Sequence, residues 1–133
     1  MQIIFRNSMT KTSDQKSVVT TVDLIVKAIQ EKKGTNISII DLRNVMNAST
    51  DFFIICTGSS ETNVQAISRS VEEILFETLN EKPLHVEGYL LANWILMDYF
   101  NTVVHIFKEE ERLHYNLENL WADAEINNLT DKE

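Results

Sequence analysis

Residues 51–67, DFFIICTGSSETNVQAI, contain an apolar run, a short polar turn and the beginning of an amphipathic segment. The apolar residues at 52–55 are continuous instead of alternating, which is typical of a strand that is covered on both faces and central in its sheet. Gly58 ends this run, and Ser59 and Ser60 are side chains that accept hydrogen bonds from the first N–H groups of a helix. The stretch therefore predicts a buried strand followed directly by a helix.

The sequence on either side predicts further helices and strands. Apolar residues recur with helical period at 64–79 and at 24–29, and Thr20 with Asp23 has the spacing of a capping box. Helices are therefore predicted at about 18–33, at 62–80 and from about residue 109 onward, and strands at 36–42, 51–57, 84–87, 93–99 and 102–107. Strand pairs with short loops, combined with one helical crossover, predict an α/β fold in which a mixed sheet of about five strands carries helices on its faces.

The last two predicted strands are separated only by Phe100 and Asn101, which is the length of a hairpin turn. Asparagine tolerates a positive φ angle better than most residues. We therefore expect Asn101 to supply the left-handed conformation in this turn.

The length of 133 residues fits a single domain, which we predict at 18–125, with flexible tails at 1–17 and, as an acidic segment, at 126–133. No segment approaches the roughly 20 apolar residues of a membrane-spanning helix, so we expect a soluble protein without a membrane partner. The single cysteine, Cys56, excludes an intrachain disulfide and favours a reducing compartment, for which we predict the cytoplasm. Basic and hydroxyl residues at 1–17 weakly resemble an organellar transit peptide, so an organelle is the alternative location.

The net charge of −8 is distributed unevenly along the chain. Residues 1–33 carry six basic and three acidic groups, whereas residues 109–133 carry two basic and eight acidic groups. A negative field repels phosphate backbones, so DNA is not expected as a partner and a basic protein surface is favoured. An equally good interpretation is that the acidic residues only keep the protein soluble.

The turn at 57–60, Thr-Gly-Ser-Ser, is the most enzyme-like feature of the sequence. Backbone N–H groups at the start of a helix can bind an anion, so a nucleotide-binding or nucleotidyltransferase-like enzyme that uses Gly58 and Ser59 is the alternative function. The turn lacks the lysine of a phosphate-binding loop, and Asp98 is alone on its predicted strand, although metal-assisted transfer needs two nearby carboxylates. We therefore interpret it as a tight turn with a helix cap, and no enzyme is predicted.

The histidines and the cysteine do not form a recognisable site. His85, His105 and His114 lack the spacing of zinc ligands with one another or with Cys56, so no metal and no cofactor are predicted. His105 lies within a predicted strand and is interpreted as a hydrogen-bonded sheet residue instead of a general base. Cys56 lies in an apolar run and is expected to be buried and unreactive.

The segment 93–99, NWILMDY, has apolar residues on both parities of a strand. Either residues 95, 97 and 99 pack inward and residues 94, 96 and 98 face outward, or the reverse holds; helices that cover both faces are a third alternative. An uncovered face would expose an aromatic and aliphatic patch beside the Asp98 carboxylate, which is typical of protein–protein contacts. The acidic run at 109–111 would add a rim suited to a basic partner.

Several blocks of sequence, in order, carry a resemblance to a known family. They are DLR (41–43), TDFFIICTGSS (50–60), VQAI (64–67), VEG (86–88), WILMDY (94–99), VVHIF (103–107) and YNLENLW (115–121). Together they extend over about 18–124, and the chain resembles the ribosomal silencing factor family, also called Iojap.

The resemblance implies both a fold and a function. It implies a mixed sheet similar to a nucleotidyltransferase core but without that activity. It also implies binding to a basic ribosomal protein of the L14 type, at the surface of the large subunit that meets the small subunit. Occupation of this surface would prevent subunit joining and repress translation, and organellar relatives would assist assembly of the large subunit. A homodimer, formed by the exposed apolar strand, is a further assembly that the sequence leaves open.

The resemblance also implies which residues contact the partner. Those in the partner-facing segment are Trp94, Leu96, Asp98 and Tyr99, and those in the block after the last strand are Glu110, Arg112 and Tyr115. Thr50, Asp51, Glu87 and Gly88 match other blocks and are expected to serve loop geometry as much as contact. Phe100 departs from the family, which usually has glycine at this place in the hairpin, so the orientation of Tyr99 is left open.

Overall fold

Six strands and four helices make up the part of the chain that the structure, a computed structural model, describes, which is residues 9–121 and 123–131. In chain order the elements are α1 (Met9–Glu31), β1 (Thr35–Asp41), β2 (Phe52–Gly58), α2 (Glu61–Leu79), β3 (His85–Glu87), β4 (Trp94–Asp98), β5 (Thr102–Lys108), α3 (Glu109–Tyr115), α4 (Leu117–Leu120) and β6 (Glu125–Asn128). None of the helices in the described ranges combines the length and the apolar content that are needed to cross a bilayer.

The strands form one mixed sheet in the order β3-β4-β5-β2-β1-β6. The pair β2–β5 is parallel, and every other neighbouring pair is antiparallel. β2 lies in the interior of the sheet, and all its side chains except that of Phe53 are buried. The predicted α/β class and the central position of this strand are therefore confirmed. The likeness to a nucleotidyltransferase core stays a prediction.

The helices are distributed unequally over the two faces of the sheet. The long helices α1 and α2 cover one face and enclose the main core, in which Ile25, Ile54, Ile67 and Ile106 are fully buried. The other face has a smaller buried cluster of Ile40, Leu42, Ile55 and Phe107, flanked by partly buried residues of α4 and the segment that follows it. Because α3 and α4 are short, they leave part of this second face uncovered.

The first helix begins earlier than predicted. The capping-box pattern at Thr20 suggested a start near Val18, whereas α1 begins at Met9 and continues through Thr20. Residues 9–17 of the predicted N-terminal tail are therefore helical, and residues 1–8 of it lie outside the described residues.

The predicted C-terminal tail contains a strand. β6 pairs antiparallel with β1, with Ile126 opposite Ile40, and Ser38 donates a hydrogen bond to the side chain of Asn128. An edge strand needs apolar side chains on only one face, and β6 contributes Ile126 to the smaller cluster. The sequence EINN is too short and polar to predict such a strand, and the prediction of about five strands was one too few.

The turn between β4 and β5 places Phe100, not Asn101, in the left-handed conformation, with φ 73°. The reason lies in its hydrogen bonds. Asp98 accepts a hydrogen bond from the Phe100 N–H at 2.9 Å, and the carbonyl of Phe100 accepts one from the Thr50 hydroxyl at 3.2 Å. The Asn101 carbonyl accepts from the backbone N–H of Asp51, so the prediction for Asn101 was wrong.

Candidate partner-binding face

The two parities of β4 face different environments. Ile95 and Met97 are fully buried against the main core, whereas Trp94, Leu96 and Asp98 are partly exposed on the opposite side. The structure thus selects the first of the three alternatives. Tyr99 continues the inward parity and is only 7% exposed, so its predicted role as a contact residue is not supported by its position.

Neighbouring strands extend the outward side of β4 into one continuous surface. Leu96 lies opposite His105, Asp98 lies opposite Val103, and Val103 lies opposite Phe53 in the next strand. Tyr115 and Trp121 approach this surface from the segment after β5. We call the surface the aromatic face and define it by Phe53, Trp94, Leu96, Asp98, Val103, His105, Tyr115 and Trp121.

Trp94 packs against other aromatic rings at the aromatic face. Its ring stacks on Phe107 with a centroid distance of 4.9 Å and lies 4.5 Å from the ring of Tyr115. Its indole N–H donates a hydrogen bond to Nδ1 of His105 at 3.1 Å. Trp94 is thus held from several sides but stays partly accessible, and Tyr115 beside it is 46% exposed.

His105 lies beneath this surface and is only 3% exposed. The ring of Phe53 meets it edge-on at 4.7 Å, and its Nε2 has no hydrogen-bond partner among the described residues. Burial lowers the pKa of the His105 imidazole to about 4, because the charged form would lose its hydration. His105 is therefore neutral at physiological pH. It is hydrogen-bonded, as predicted, but through only one of its nitrogens.

The lowered pKa of His105 predicts a loss of stability in mild acid. The unfolded chain binds a proton near the ordinary pKa of 6.5, whereas the folded protein resists it down to about pH 4. The free energy of unfolding should therefore fall by up to about 3 kcal/mol as the pH decreases from about 6.5 to about 4. Urea denaturation at a series of pH values measures this loss.

The matched control for this pH effect is His105→Asn, which removes the titrating group but keeps an acceptor. The unfolding free energy of this variant should change much less over the same pH range. The Asp41 and Glu61 carboxylates, whose pKa values are lowered by their ion pairs, lose their stabilising effect mainly at more acidic pH, because they become protonated there. An equal pH dependence of the two proteins would contradict the assignment.

Arg112 forms hydrogen bonds with several parts of the fold. Its guanidinium donates to the Glu118 carboxylate at 2.7 Å and to the hydroxyls of Ser38 and Thr57, each at 3.0 Å. It also donates to the backbone carbonyl of Asn36. These bonds fasten α3 and α4 to the end of β1 and β2. The bonds give Arg112 a structural role in positioning α3 beside the aromatic face, and contact of Arg112 with a partner stays a prediction.

Acidic side chains begin α3. Glu109, Glu110 and Glu111 occupy its first turn, where carboxylates interact favourably with free backbone N–H groups. Glu110 is exposed, whereas Lys108 just before it forms an ion pair with Glu61 at 2.8 Å. Glu109 and Glu110 thus present acidic side chains to solvent, whereas an acidic rim around the aromatic face and contact of Glu110 with a partner stay predictions.

The enzyme-like turn at 57–60 uses its own polar groups internally. The Ser59 N–H donates to the side chain of Asn63 at 2.9 Å, and the Ser60 hydroxyl accepts from the Asn63 N–H at 3.0 Å. A Cβ atom at Gly58 would lie 2.6 Å from a methyl group of Val64, so close packing explains this glycine. The geometry favours the interpretation as a turn with a helix cap.

No metal-binding or nucleophilic group stands out in the described part of the chain. No group of three or more His, Cys, Asp or Glu side chains there could hold a metal ion. Cys56 is buried, as predicted, and burial raises the pKa of its thiol to about 12. The thiol therefore stays protonated, which is the unreactive form.

Sequence analysis missed Phe53, Val103 and Trp121 as members of the aromatic face. Phe53 was assigned to a strand covered on both faces, and Trp121 lay in the helix predicted from about residue 109 onward. Alternation along a strand indicates which of its residues share one side of the sheet. Only the pairing of β5 with both β2 and β4 brings the residues of the three strands together in one surface.

Gly88 matches its expected loop role, because its φ is 87° and a Cβ there would collide with the Trp94 carbonyl.

Comparison with known proteins assigns this chain to a family. The family model described as "Ribosomal silencing factor during starvation" matches residues 14–133. The chain belongs to the ribosomal silencing factor family. The resemblance carried by the sequence blocks is therefore confirmed.

Individual relatives agree with membership of the silencing factor family. Ribosomal silencing factor RsfS of Halalkalibacterium halodurans is 39% identical over 103 residues, which are 77% of this chain and 86% of the relative. The protein of the same name from Bacillus subtilis is 34% identical over 87% of this chain and 94% of its own length. A crystal structure of a Chromobacterium violaceum protein matches with a TM-score of 0.74 and 28% identity over 79% of this chain and 86% of that chain.

Organellar proteins also resemble this member of the silencing factor family. Protein Iojap, chloroplastic, of Zea mays is 34% identical over 75% of this chain, which covers 42% of the maize protein. The mouse protein named mitochondrial assembly of ribosomal large subunit protein 1 is 24% identical over 76% of this chain and 45% of its own length. The shared region is thus one part of each longer organellar protein.

Proposed function

We propose that the chain represses translation by binding the large ribosomal subunit through the aromatic face and blocking the small subunit sterically. The observation that carries this proposal is the uncovered part of the sheet around Trp94 and Leu96, with a carboxylate at Asp98. Membership of a family named for ribosome silencing supports the same partner.

The chemistry of the aromatic face supports a basic ribosomal protein of the L14 type as the partner. Tryptophan and tyrosine supply large contact areas with little loss of conformational entropy on binding. Asp98 lies next to this area, the exposed acidic turn of α3 is nearby, and the net charge is −8. Such a surface attracts Lys and Arg side chains and rejects phosphate, so protein is favoured over RNA as the contacted component.

Occupancy alone is sufficient for the proposed mechanism, so no catalytic step is required. A domain of 15.3 kDa that is bound where the subunits meet would exclude the small subunit by its volume. The name of the mouse relative supports an additional role during assembly of the large subunit. The bacterial origin of the relatives from Halalkalibacterium halodurans and Bacillus subtilis favours action in the bacterial cytoplasm.

Self-association through β4 is not supported by the sheet order. β3 and β5 occupy both edges of β4, so this strand cannot pair with a second copy by main-chain hydrogen bonds. A homodimer would need another contact, such as the outer edge of β3. It stays a prediction that sedimentation at several concentrations would test.

Sedimentation with purified subunits tests the proposed function. The protein should pellet with large subunits but not with small subunits, and saturating amounts should reduce the formation of joined ribosomes. High salt should weaken the binding, since opposite charges are proposed to contribute to it. Equal binding to both subunits, or binding without any effect on joining, would contradict the proposal.

A further inference from the structure

A histidine lies directly beside the indole of Trp94. The two residues are on the neighbouring strands β4 and β5, and the Trp94 Nε1–H donates to His105 Nδ1 at 3.1 Å. An indole nitrogen is only a donor, so Nδ1 has to be free of a proton to accept this bond. A neutral His105 therefore carries its proton on Nε2.

The position of this acceptor is fixed by the aromatic rings around it. Phe53 meets the His105 ring edge-on at 4.7 Å, and Phe107 lies nearly parallel to it, at 6.2 Å and 13°. The ring is buried and has little room to turn. The bond therefore restrains the rotation of Trp94 and holds the indole in one orientation.

Packing alone does not explain a histidine at this place. Its Nε2–H is buried without a partner among the described residues, which lowers stability compared with an apolar side chain of similar size. A leucine would fill the space between Phe53 and Phe107 without this unpaired donor. What a leucine lacks is the acceptor for the Trp94 indole.

We propose that His105 is a positioning residue for partner binding, which holds the Trp94 indole in its binding orientation by accepting a hydrogen bond from it. This inference rests on the proposed function only where it concerns the partner. A preoriented Trp94 loses less conformational entropy on binding than a freely rotating one, so the free protein is already arranged for contact. His105 acts through Trp94 and needs no contact with the partner itself.

Nuclear magnetic resonance of the isolated protein tests the hydrogen bond directly. Long-range correlations of the His105 ring nitrogens should show a proton on Nε2 and none on Nδ1. The Trp94 indole signal, identified by its loss in Trp94→Phe, should exchange with water about fivefold more slowly than in His105→Leu, since that variant lacks the acceptor. His105→Asn, which keeps an oxygen near the place of Nδ1, should restore most of the protection.

A proton on Nδ1 of the wild-type protein would overturn the proposal. An unchanged rate of exchange of the Trp94 indole proton with water in His105→Leu would also overturn it. The tautomer is measured on the wild-type protein, so a variant that fails to fold does not remove the test.

Binding to the large subunit tests the consequence for the partner. Affinity should fall about fivefold in His105→Leu and less than about twofold in His105→Asn, although both variants remove the buried Nε2–H. Equal affinities of wild type and His105→Leu would overturn the positioning role. If the wild-type protein fails to bind large subunits while the tautomer and exchange results hold, the proposed function fails and the Trp94–His105 bond stands.

Discussion

Replacing Trp94 by alanine and Asp98 by lysine in one variant is expected to lower affinity for the large ribosomal subunit by at least about 100-fold. The alanine removes a large, partly accessible ring of the aromatic face. The lysine places a positive charge against a partner that is proposed to be basic. Trp94 also stacks on Phe107, so circular dichroism and thermal melting must show that the variant is folded at the assay temperature.

A matched control on the other side of the sheet is Phe76→Ala with Glu77→Lys. Phe76 is an exposed aromatic residue of α2, and the pair of substitutions changes the charge in the same way. This control should bind like the wild-type protein. Equal weakening by both variants would show that net charge, and not the aromatic face, determines binding.

Asp98→Asn separates the charge of Asp98 from its role in the turn. Asparagine keeps an oxygen that can accept from the Phe100 N–H, so the turn should be preserved. Affinity should fall about three- to tenfold at low salt, and the difference should shrink at high salt, as for a charge at the rim of an interface.

Replacing Arg112 by leucine is expected to lower the free energy of unfolding by about 3–5 kcal/mol. The substitution leaves the Glu118 carboxylate, two buried hydroxyls and a backbone carbonyl without their shared donor. The Arg112 side chain is only 12% exposed and that of Glu118 is 27% exposed, so water can replace these bonds only in part. Urea denaturation measures the loss, and the thermal midpoint should fall by roughly 15 °C.

Arg43→Leu is the matched control, because it removes the same charge and a similar ion pair. Arg43 bonds the Asp41 carboxylate at 2.7 Å, but its side chain is 40% exposed. An exposed pair of this kind contributes about 0.5 kcal/mol, so the control should be nearly as stable as the wild-type protein. Similar losses in the two variants would contradict the role of Arg112 in holding α3. Arg112→Leu should also weaken partner binding, since α3 carries Tyr115.

Local patterns determined which segments of this chain are strands and helices. The run at 52–55 indicated a central strand because only a strand covered on both faces is apolar without alternation. Segments without such a pattern were missed, and β6 is the clearest case. Its pairing depends on main-chain hydrogen bonds with β1 and on one apolar side chain, Ile126. The left-handed conformation of Phe100 was also missed. It depends on a hydrogen bond to the Asp98 side chain and on one from Thr50, which is distant in sequence.

The sequence by itself determined the α/β class, the family and the segment 94–99 as the centre of the candidate face. It could not decide which parity of that segment faces outward, because apolar residues occupy both. The tertiary structure decided this, since α1 and α2 cover the side of Ile95 and Met97 while the short α3 and α4 leave Trp94 and Leu96 partly open. The roles of Arg112 and His105 could also be inferred only from the tertiary structure. A hydrogen bond between residues far apart in sequence exists only after the strands that carry them have paired.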